Sequence, residues 1–405
     1  MGGFAGSHHR AVLRLEERGH ARLVATCDPH ADSFAVEQRE WHLASRGVRV
    51  FHDYRALLDA CHAQLDLVVV PTPIQLHAEM HAAAVSLGLP VYLEKPPTLD
   101  YAELERMIAA DSRARRQSFV GFNFIIERHR LALKERLLAG EFGALRGATL
   151  TALWPRPGSY FSRNQWAGRL RIDGRIVLDS CFGNAMAHFV HNLLFWAGGA
   201  GLFSWAQLAA VRAELYRAHA IEGADTFFVE ADSTLGVTLR FATTHACSGA
   251  SSHCEMVLCE KAVIRYSVGS HCEVRWNDGR VERTPLEPFD ALSENHLEYY
   301  RYLRGEGERP ATSLADCRPF VALNDLAHIS SRRISAIPAR QVSTVRDEKE
   351  QKDYLHVAGM TAAHESFLVK GLWPGQHGWE REPGEVATPA EIGRFHETVD
   401  AMLGR

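Results

Sequence analysis

Lys95 is the residue with the clearest chemical use. It stands in PVYLEKPPT (90–98), just past an apolar run that reads as a buried strand. The doubled proline after it makes a rigid, non-helical exit. In open α/β sheets ligands bind beyond such strand ends, so an ammonium there is aimed into a binding crevice. It can hydrogen-bond a hydroxyl and, if its pKa falls, accept the proton. The competing reading is a solvated surface lysine. The same crevice collects Thr72, Pro73 and His77 from VVVPTPIQLH, beyond the preceding apolar strand.

A second group opens the chain. Gly2 and Gly3, with Phe4, Ala5 and Gly6, run directly into a helix predicted over 5–18. Glycines in that position let the backbone approach a pyrophosphate held by helix N-terminal amides. With Gly2 as the second glycine of G-x-G-x-x-G/A, Ala5 takes the third place. The first glycine and its strand are then missing, and the polypeptide is expected to begin upstream. Asp28 ends the strand RLVATCD (22–28) at about the spacing, ~20 residues on, of a carboxylate that binds a ribose 2′-hydroxyl. A carboxylate there repels a 2′-phosphate, which favours NAD over NADP.

The elements that must position these residues alternate strand and helix to residue 122, which predicts parallel strands and crossover helices. The fold class is therefore α/β over 1–122: a Rossmann-type doubly wound sheet lacking its first strand. From 123 to 405 the pattern changes to an α+β domain with a mainly antiparallel sheet. Runs such as TFFVEADS and CEMVLCEKAVIRYSV are rich in β-branched and aromatic residues, and NDG (277–279) is a hairpin turn. HLEYYRYLRG (296–305) and FVALNDLAHISSRR (320–333) read as helices of that domain. ATPAEIGRFHETVDAML (387–403) reads as a closing helix capped by Thr388, with Pro389 as its first residue. The segment from about 340 has no clear pattern.

Composition narrows the class. The net charge of −4 comes without a basic block, which argues against nucleic acid as partner. No run of 18 apolar residues or signal peptide appears, so no membrane partner and a cytoplasmic location are expected. The eight cysteines form no CxxC pair and read as reduced thiols. His77 and His81 share a helix face, but no third ligand is evident, so no metal site is assigned.

The order GGFAGSHHRAVL, VATCDP, VVVPTPIQLHAEM, VYLEKPPTLDYAE resembles the glucose–fructose oxidoreductase / inositol dehydrogenase / rhizopine-catabolism (Gfo/Idh/MocA) family, the E-K-P tripeptide being the most telling piece. The resemblance spans the N-terminal domain and continues more loosely to about residue 335. It implies a Rossmann domain plus a sheet domain whose open face lines the substrate site and often mediates oligomers, here a homo-oligomer through the C-terminal sheet. It further implies NAD(P) chemistry on a sugar, inositol or related polyol. By resemblance Lys95 is the active-site lysine, Glu94 and Pro96 flank the cofactor, and His77 lies at the nicotinamide end. The family's acid–histidine pair, four residues apart, maps onto RIVLDSCFGNAMAHFVHNLLFWAG (175–198). His188 fits the histidine, but Asn184 replaces the acid. Asn orients a hydroxyl and cannot take its proton. Asp179, nine residues before His188, is the nearby substitute. Lys95 and His188 are thus expected to act over one nicotinamide ring. SYFSRNQWAGRLRIDG (159–174), with Arg163, Asn164 and Trp166, is assigned as a substrate loop for stacking and directed hydrogen bonds.

Three functions follow from these residues. The first is NAD(P)-dependent oxidation of a secondary alcohol. The second is a glycosidase or dehydratase that oxidises its substrate only transiently and forms no net NADH. The third is a catalytically silent ligand sensor, suggested by Asn184 in place of the acid.

Overall fold

The glycine-rich start turns at once into α1 (Ala5–Glu17), whose Ala11, Val12 and Leu15 form one buried stripe. β1 (Ala25–Cys27), α2 (Ala35–Glu40) and β2 (Arg49–Phe51) follow. α3 (Tyr54–Cys61) is capped by Asp53, which accepts from the Ala56 amide at 2.9 Å. β3 (Val68–Val70), α4 (His77–Ser86), β4 (Val91–Leu93), α5 (Tyr101–Asp111) and β5 (Phe119–Val120) complete the alternation. All pairings are parallel: β1 with β2, and β3 with β4 with β5. No ladder joins β1 to β3 among the described residues, so the parallel strands form two separate ladders, β1-β2 and β3-β4-β5. Val68 and Val69 are accordingly half-buried, although their apolar run predicts cover on both faces.

The computed structural model describes residues 1–376, 378–379 and 381–404. The chain forms two compact units. The first comprises Met1–Thr98, Ala102–Glu127 and Phe289–Ala315; the second comprises Leu99–Tyr101, Arg128–Pro288 and Asp316–Arg405.

In chain order the remaining elements are α6 (Arg128–Leu138), β6 (Leu145–Leu153), α7 (Gly158–Phe161), a short hairpin of β7 (Arg171–Ile172) and β8 (Arg175–Ile176), α8 (Ala187–Trp196), β9 (Leu208–Arg217), β10 (Thr226–Ser233), β11 (Thr238–Thr244), β12 (Ser252–Cys259), β13 (Ala262–Ser267), β14 (His271–Trp276), β15 (Val281–Pro285), α9 (Ala291–Leu303), α10 (Arg318–Ser331), β16 (Ile334–Ala336), β17 (Val342–Asp347), β18 (Lys352–Val357), α11 (Met360–Lys370) and α12 (Phe395–Met402). The second unit is built on a nine-stranded sheet in the order β15-β14-β13-β12-β6-β11-β10-β9-β16. It is antiparallel except where β6 meets β11 and β9 meets β16. The NDG turn joins β14 to β15, with Gly279 at φ +91° as such a turn requires.

Two features depart from the sequence reading. First, the split at residues 122/123 is too simple, because α9 returns to the first unit. Its Leu297 and Tyr300 bury Leu15 of α1, and its Tyr299 ring lies 5.4 Å from Phe119. Asn295 Nδ2 donates to the Asn123 carbonyl at 2.8 Å. The amphipathic pattern of 296–305 identifies a helix but not the surface it covers. Second, the sheet face expected to be open is covered by the chain itself over β9–β11. Tyr216, Phe228 and Ala242 of those strands pack with Phe367 of α11 and with Trp373 and Trp379 beyond it. The unread segment after 340 thus supplies an apolar cover. At the C-terminus Thr388 and Glu391 form a reciprocal capping box with Pro389 in the first turn. That start is a 3₁₀ turn, Pro389–Arg394, which becomes α12.

Candidate functional site

In the first unit the expected cofactor residues form two groups. Gly3 takes φ +57°, and a side chain on Gly2 would approach the Phe34 ring at 2.9 Å. These glycines let the chain turn into α1. Phe4, half exposed, is the N-cap and makes no side-chain cap, and the first turn from Ala5 carries no acidic residue. The amides at that helix start are therefore uncapped by side chains, and a Cβ on Gly3 would meet nothing within 4 Å. This is a cradle suited to a pyrophosphate. Asp28 lies beside it: its carboxylate accepts from the Met1 amino group, the Gly2 amide and the His30 amide. Burial works against the charged form, but these hydrogen bonds outweigh it and hold the carboxyl below its ordinary range.

The second group is the pair of strand ends after β3 and β4. His77 is buried between them, with Nε2 2.8 Å from the Thr72 carbonyl and Nδ1 3.0 Å from the Pro96 carbonyl. It ties the Thr72–Pro73 exit to the E-K-P turn. Burial lowers its pKa, and the two carbonyls oppose that shift. His81, a turn later, bonds Asp111 Oδ1 at 3.0 Å. The two histidines therefore face different partners. The Lys95–Pro96 peptide is cis, and the Lys95 amide donates to Glu94 Oε2 at 3.3 Å.

Glu94 points inward. It is buried, with Oε1 2.8 Å from His8 Nε2. His8 Nδ1 lies 3.0 Å from His296 Nε2, and His296 Nδ1 lies 3.2 Å from the Tyr300 hydroxyl. One set of tautomers satisfies the whole chain with both rings neutral: Tyr300 donates to His296, His296 to His8, and His8 to the Glu94 carboxylate. Burial and then the neighbouring His8 hold His296 well below the usual imidazole range, consistent with a neutral ring. His8→Leu leaves a buried carboxylate with only its longer contact to the Lys95 amide, so it is expected to cost about 2 kcal/mol of stability. The double variant His8→Leu/Glu94→Gln should recover part of that loss. Urea unfolding of both variants measures it, and equal stabilities for wild type and His8→Leu would contradict the arrangement.

In the second unit Ser180 caps a wide, π-type turn, Cys181–Ala185, that leads into α8. Gly183 makes room there for the neighbouring side chains, since a Cβ would lie 2.9 Å from Asn324 Oδ1. Within the buried run 181–197, Asn184, Ala185 and His188 are the half-buried positions. Asn184 and Ala185 lie on the π-type turn and His188 on the first turn of α8. Asn184 Nδ2 donates to Asp179 Oδ1 at 2.7 Å, and Asp179 Oδ2 accepts from the Gly168 amide at 2.8 Å. The fold thus sets a buried acid against the asparagine of the acid–histidine motif. The C-terminus of α8 is fixed from below by the buried Lys134, which donates to the carbonyls of Phe195 (2.5 Å) and Trp196 (3.2 Å). Burial pushes that ammonium down to about 7.

The predicted substrate loop is only partly what its residues suggest. Arg163 stacks on Tyr160, its Cζ 3.7 Å from the ring centroid, and lies 5.5 Å from Trp166. Asn164 is instead a turn-former: its Oδ1 accepts from the amides of Trp166 (3.1 Å) and Ala167 (2.8 Å). Trp154, Arg156 and Tyr160 join Arg163 here and went unremarked in the sequence. The aromatic–arginine alternation in LWPRPGSYFSR was the available signal. All eight cysteines are free, and six are buried.

The geometry of the first unit is that of a dinucleotide-binding domain. Residues 1–122 match the model of the GFO_IDH_MocA oxidoreductase family, described as its NAD-binding Rossmann fold. The chain is 36% identical over 143 residues to an inositol 2-dehydrogenase of Streptomyces avermitilis, covering 35% of this chain and 39% of the relative. It is 34% identical over 143 residues to inositol 2-dehydrogenase 4 of Saccharopolyspora erythraea, covering 35% and 40%. The matched region thus spans about two fifths of those relatives' length. Among solved structures, an Agrobacterium radiobacter oxidoreductase bound to NAD⁺, L-tartaric acid and magnesium superposes with TM-score 0.66 at 19% identity, over 81% of this chain and 93% of that one. The WlbA dehydrogenase of Bordetella pertussis with NADH and UDP-GlcNAcA gives 0.64 at 23%, over 82% and 94%. These likenesses extend the shared fold through the second unit. No helix is long and apolar enough to cross a membrane among the described residues.

Proposed function

We propose that this chain is an NAD-dependent oxidoreductase that oxidises a secondary alcohol of a sugar, inositol or related polyol. The observation that carries the reading is Lys95 at a parallel strand end in a unit of NAD-binding fold, on a turn held by Glu94 and by His77. NAD, when bound by the Gly2–Ala5 turn and Asp28, supplies the hydride acceptor. Lys95 holds the substrate hydroxyl and takes its proton. His188, on α8 of the second unit, offers its imidazole to a substrate hydroxyl. Asn184 commits its amide nitrogen to Asp179 and so orients a hydroxyl through its carbonyl oxygen. The inositol 2-dehydrogenase relatives support the polyol class and favour net oxidation over the redox-neutral and sensor alternatives.

The direct experiment is a panel of polyols and sugars with NAD, followed at the NADH absorbance band. NADH should form with at least one. Sugar consumed without NADH, or no reaction with any member, would remove this assignment. Asp28 predicts the cofactor choice: Asp28→Ala removes a like charge from the 2′ position and should narrow the NAD-over-NADP preference about tenfold or more. Titration with both cofactors reads this, and an unchanged ratio would place Asp28 outside the ribose site.

A further inference from the structure

Past β6 the chain passes through Trp154, Pro155, Arg156 and Pro157 into α7. The hairpin β17–β18 closes on this segment through an antiparallel bridge between Pro157 and Tyr354. Between the two lies a cleft of about 450 Å³, walled by Trp154, Arg156 and Tyr160 on one side and by Glu350, Lys352 and Tyr354 on the other. The Arg156 Cζ lies 5.2 Å from the Trp154 ring and 4.6 Å from the Tyr160 ring, and Arg163 stacks on the same tyrosine at 3.7 Å. Neither guanidinium forms an ion pair among the described residues. Arg156 Nε is buried and has no hydrogen-bond partner among them. Arginines nearby are neutralised by contrast: Arg171 meets Asp400 at 3.1 Å, and Arg169 meets Glu222. The cleft's own carboxylate, Glu350, is engaged by Lys352 Nζ at 3.0 Å and the Tyr354 hydroxyl at 2.8 Å. Arg156 in the cleft wall, and Arg163 stacked on the cleft's tyrosine just outside that wall, are two planar cations without counter-ions, an arrangement suited to an anion.

Tyr160 lies within the electrostatic reach of Asp179 in the same unit. Burial first, and then the Asp179 carboxylate, raise its pKa, while Arg163 and Arg156 pull it down. Asp179 in turn holds Asn184.

We propose that this cleft binds an anionic oxygen group, a carboxylate or a phosphate, carried by the sugar or polyol substrate, with Arg156 and Arg163 as specificity-determining residues. Guanidinium forks match both groups in a bidentate manner, and the flat faces of Trp154 and Tyr160 suit a sugar ring. The proposal deepens the oxidoreductase reading and rests on it for the sugar class.

Calorimetric binding to the full chain without NAD tests it, using glucose, glucuronate, glucose 6-phosphate, galactose and galacturonate as probes. At least one anionic probe should bind about tenfold or more tightly than its neutral parent, the scale of one charge-assisted bidentate contact. Preference for the uronates identifies a carboxylate, and preference for glucose 6-phosphate a phosphate. Arg156→Met and Arg163→Met should each abolish the preference, whereas Arg156→Lys keeps part of it. Thermal melting checks each fold, and the exposed Arg163 keeps the test available if Arg156→Met does not fold. Equal binding of neutral and anionic probes, no binding of any anionic probe at millimolar concentration, or a preference that survives both arginine variants would each overturn the proposal. Arginine-dependent binding with no NADH either from the polyol panel or from the bound anionic probe would sink the oxidoreductase reading alone. NADH formed from neutral polyols, with no arginine dependence, would sink this one alone.

Discussion

Lys95→Met is expected to lower kcat by about three orders of magnitude, the upper range for loss of a general base and hydroxyl ligand. It should leave NAD affinity within about threefold, because the substitution removes charge but little volume. The turn that carries position 95 does not depend on the lysine side chain. Its anchors are the Glu94 carboxylate bound to His8, the His77 contact to the Pro96 carbonyl, and the residue 95 amide donating to Glu94, which methionine retains. Steady-state rates and a fluorescence titration with NAD separate the two effects. A variant that loses NAD binding and turnover together would mean that Lys95 serves the turn; a variant with full turnover would remove it from the chemistry.

His188→Gln carries the second large effect. Glutamine keeps hydrogen-bonding capacity but cannot titrate. A fall in kcat of about two orders of magnitude is expected, together with loss of one limb of the pH–rate profile. Under the proposed function the imidazole carries the protonic work in this unit. The position four residues earlier is Asn184, and its acid neighbour Asp179 already accepts from the Gly168 and Asn184 amides. Asp179→Asn should therefore loosen the π-type turn instead of reproducing the His188→Gln profile. An unchanged pH profile in His188→Gln would return His188 to a structural role on an apolar helix.

What was readable in the sequence follows from the range of the interactions involved. Period and capping identified α1, α3 and the strand ends at Thr72 and Lys95, because those signals lie within a turn or two. The parallel class followed from strand–helix alternation. Contacts far apart in sequence left no such trace. His8 and His296 are 288 positions apart, so the relay behind Glu94 is visible only in the folded unit. The same holds for α9, whose amphipathic face is plain and whose partner is not. The charged segment VSTVRDEKEQKDYLHV (342–357) shows no clear pattern in sequence, yet it pairs with itself as β17–β18 and walls a cleft. Asn164 adds a local task its residue type does not disclose, its carbonyl oxygen accepting from two backbone amides. Asp179 was judged by its distance from His188, whereas the informative spacing was the five residues to Asn184.

The central claim, that Lys95 and His188 serve the same chemical step, is tested most directly by a kinetic double-mutant cycle. Single-turnover rates would be compared for Lys95→Met, His188→Gln and the double variant on the best substrate from the panel. Groups acting in one step are strongly non-additive, so the double variant should be no more than about tenfold slower than the slower single. Rate losses that multiply in full would assign the two residues to independent tasks and contradict the account.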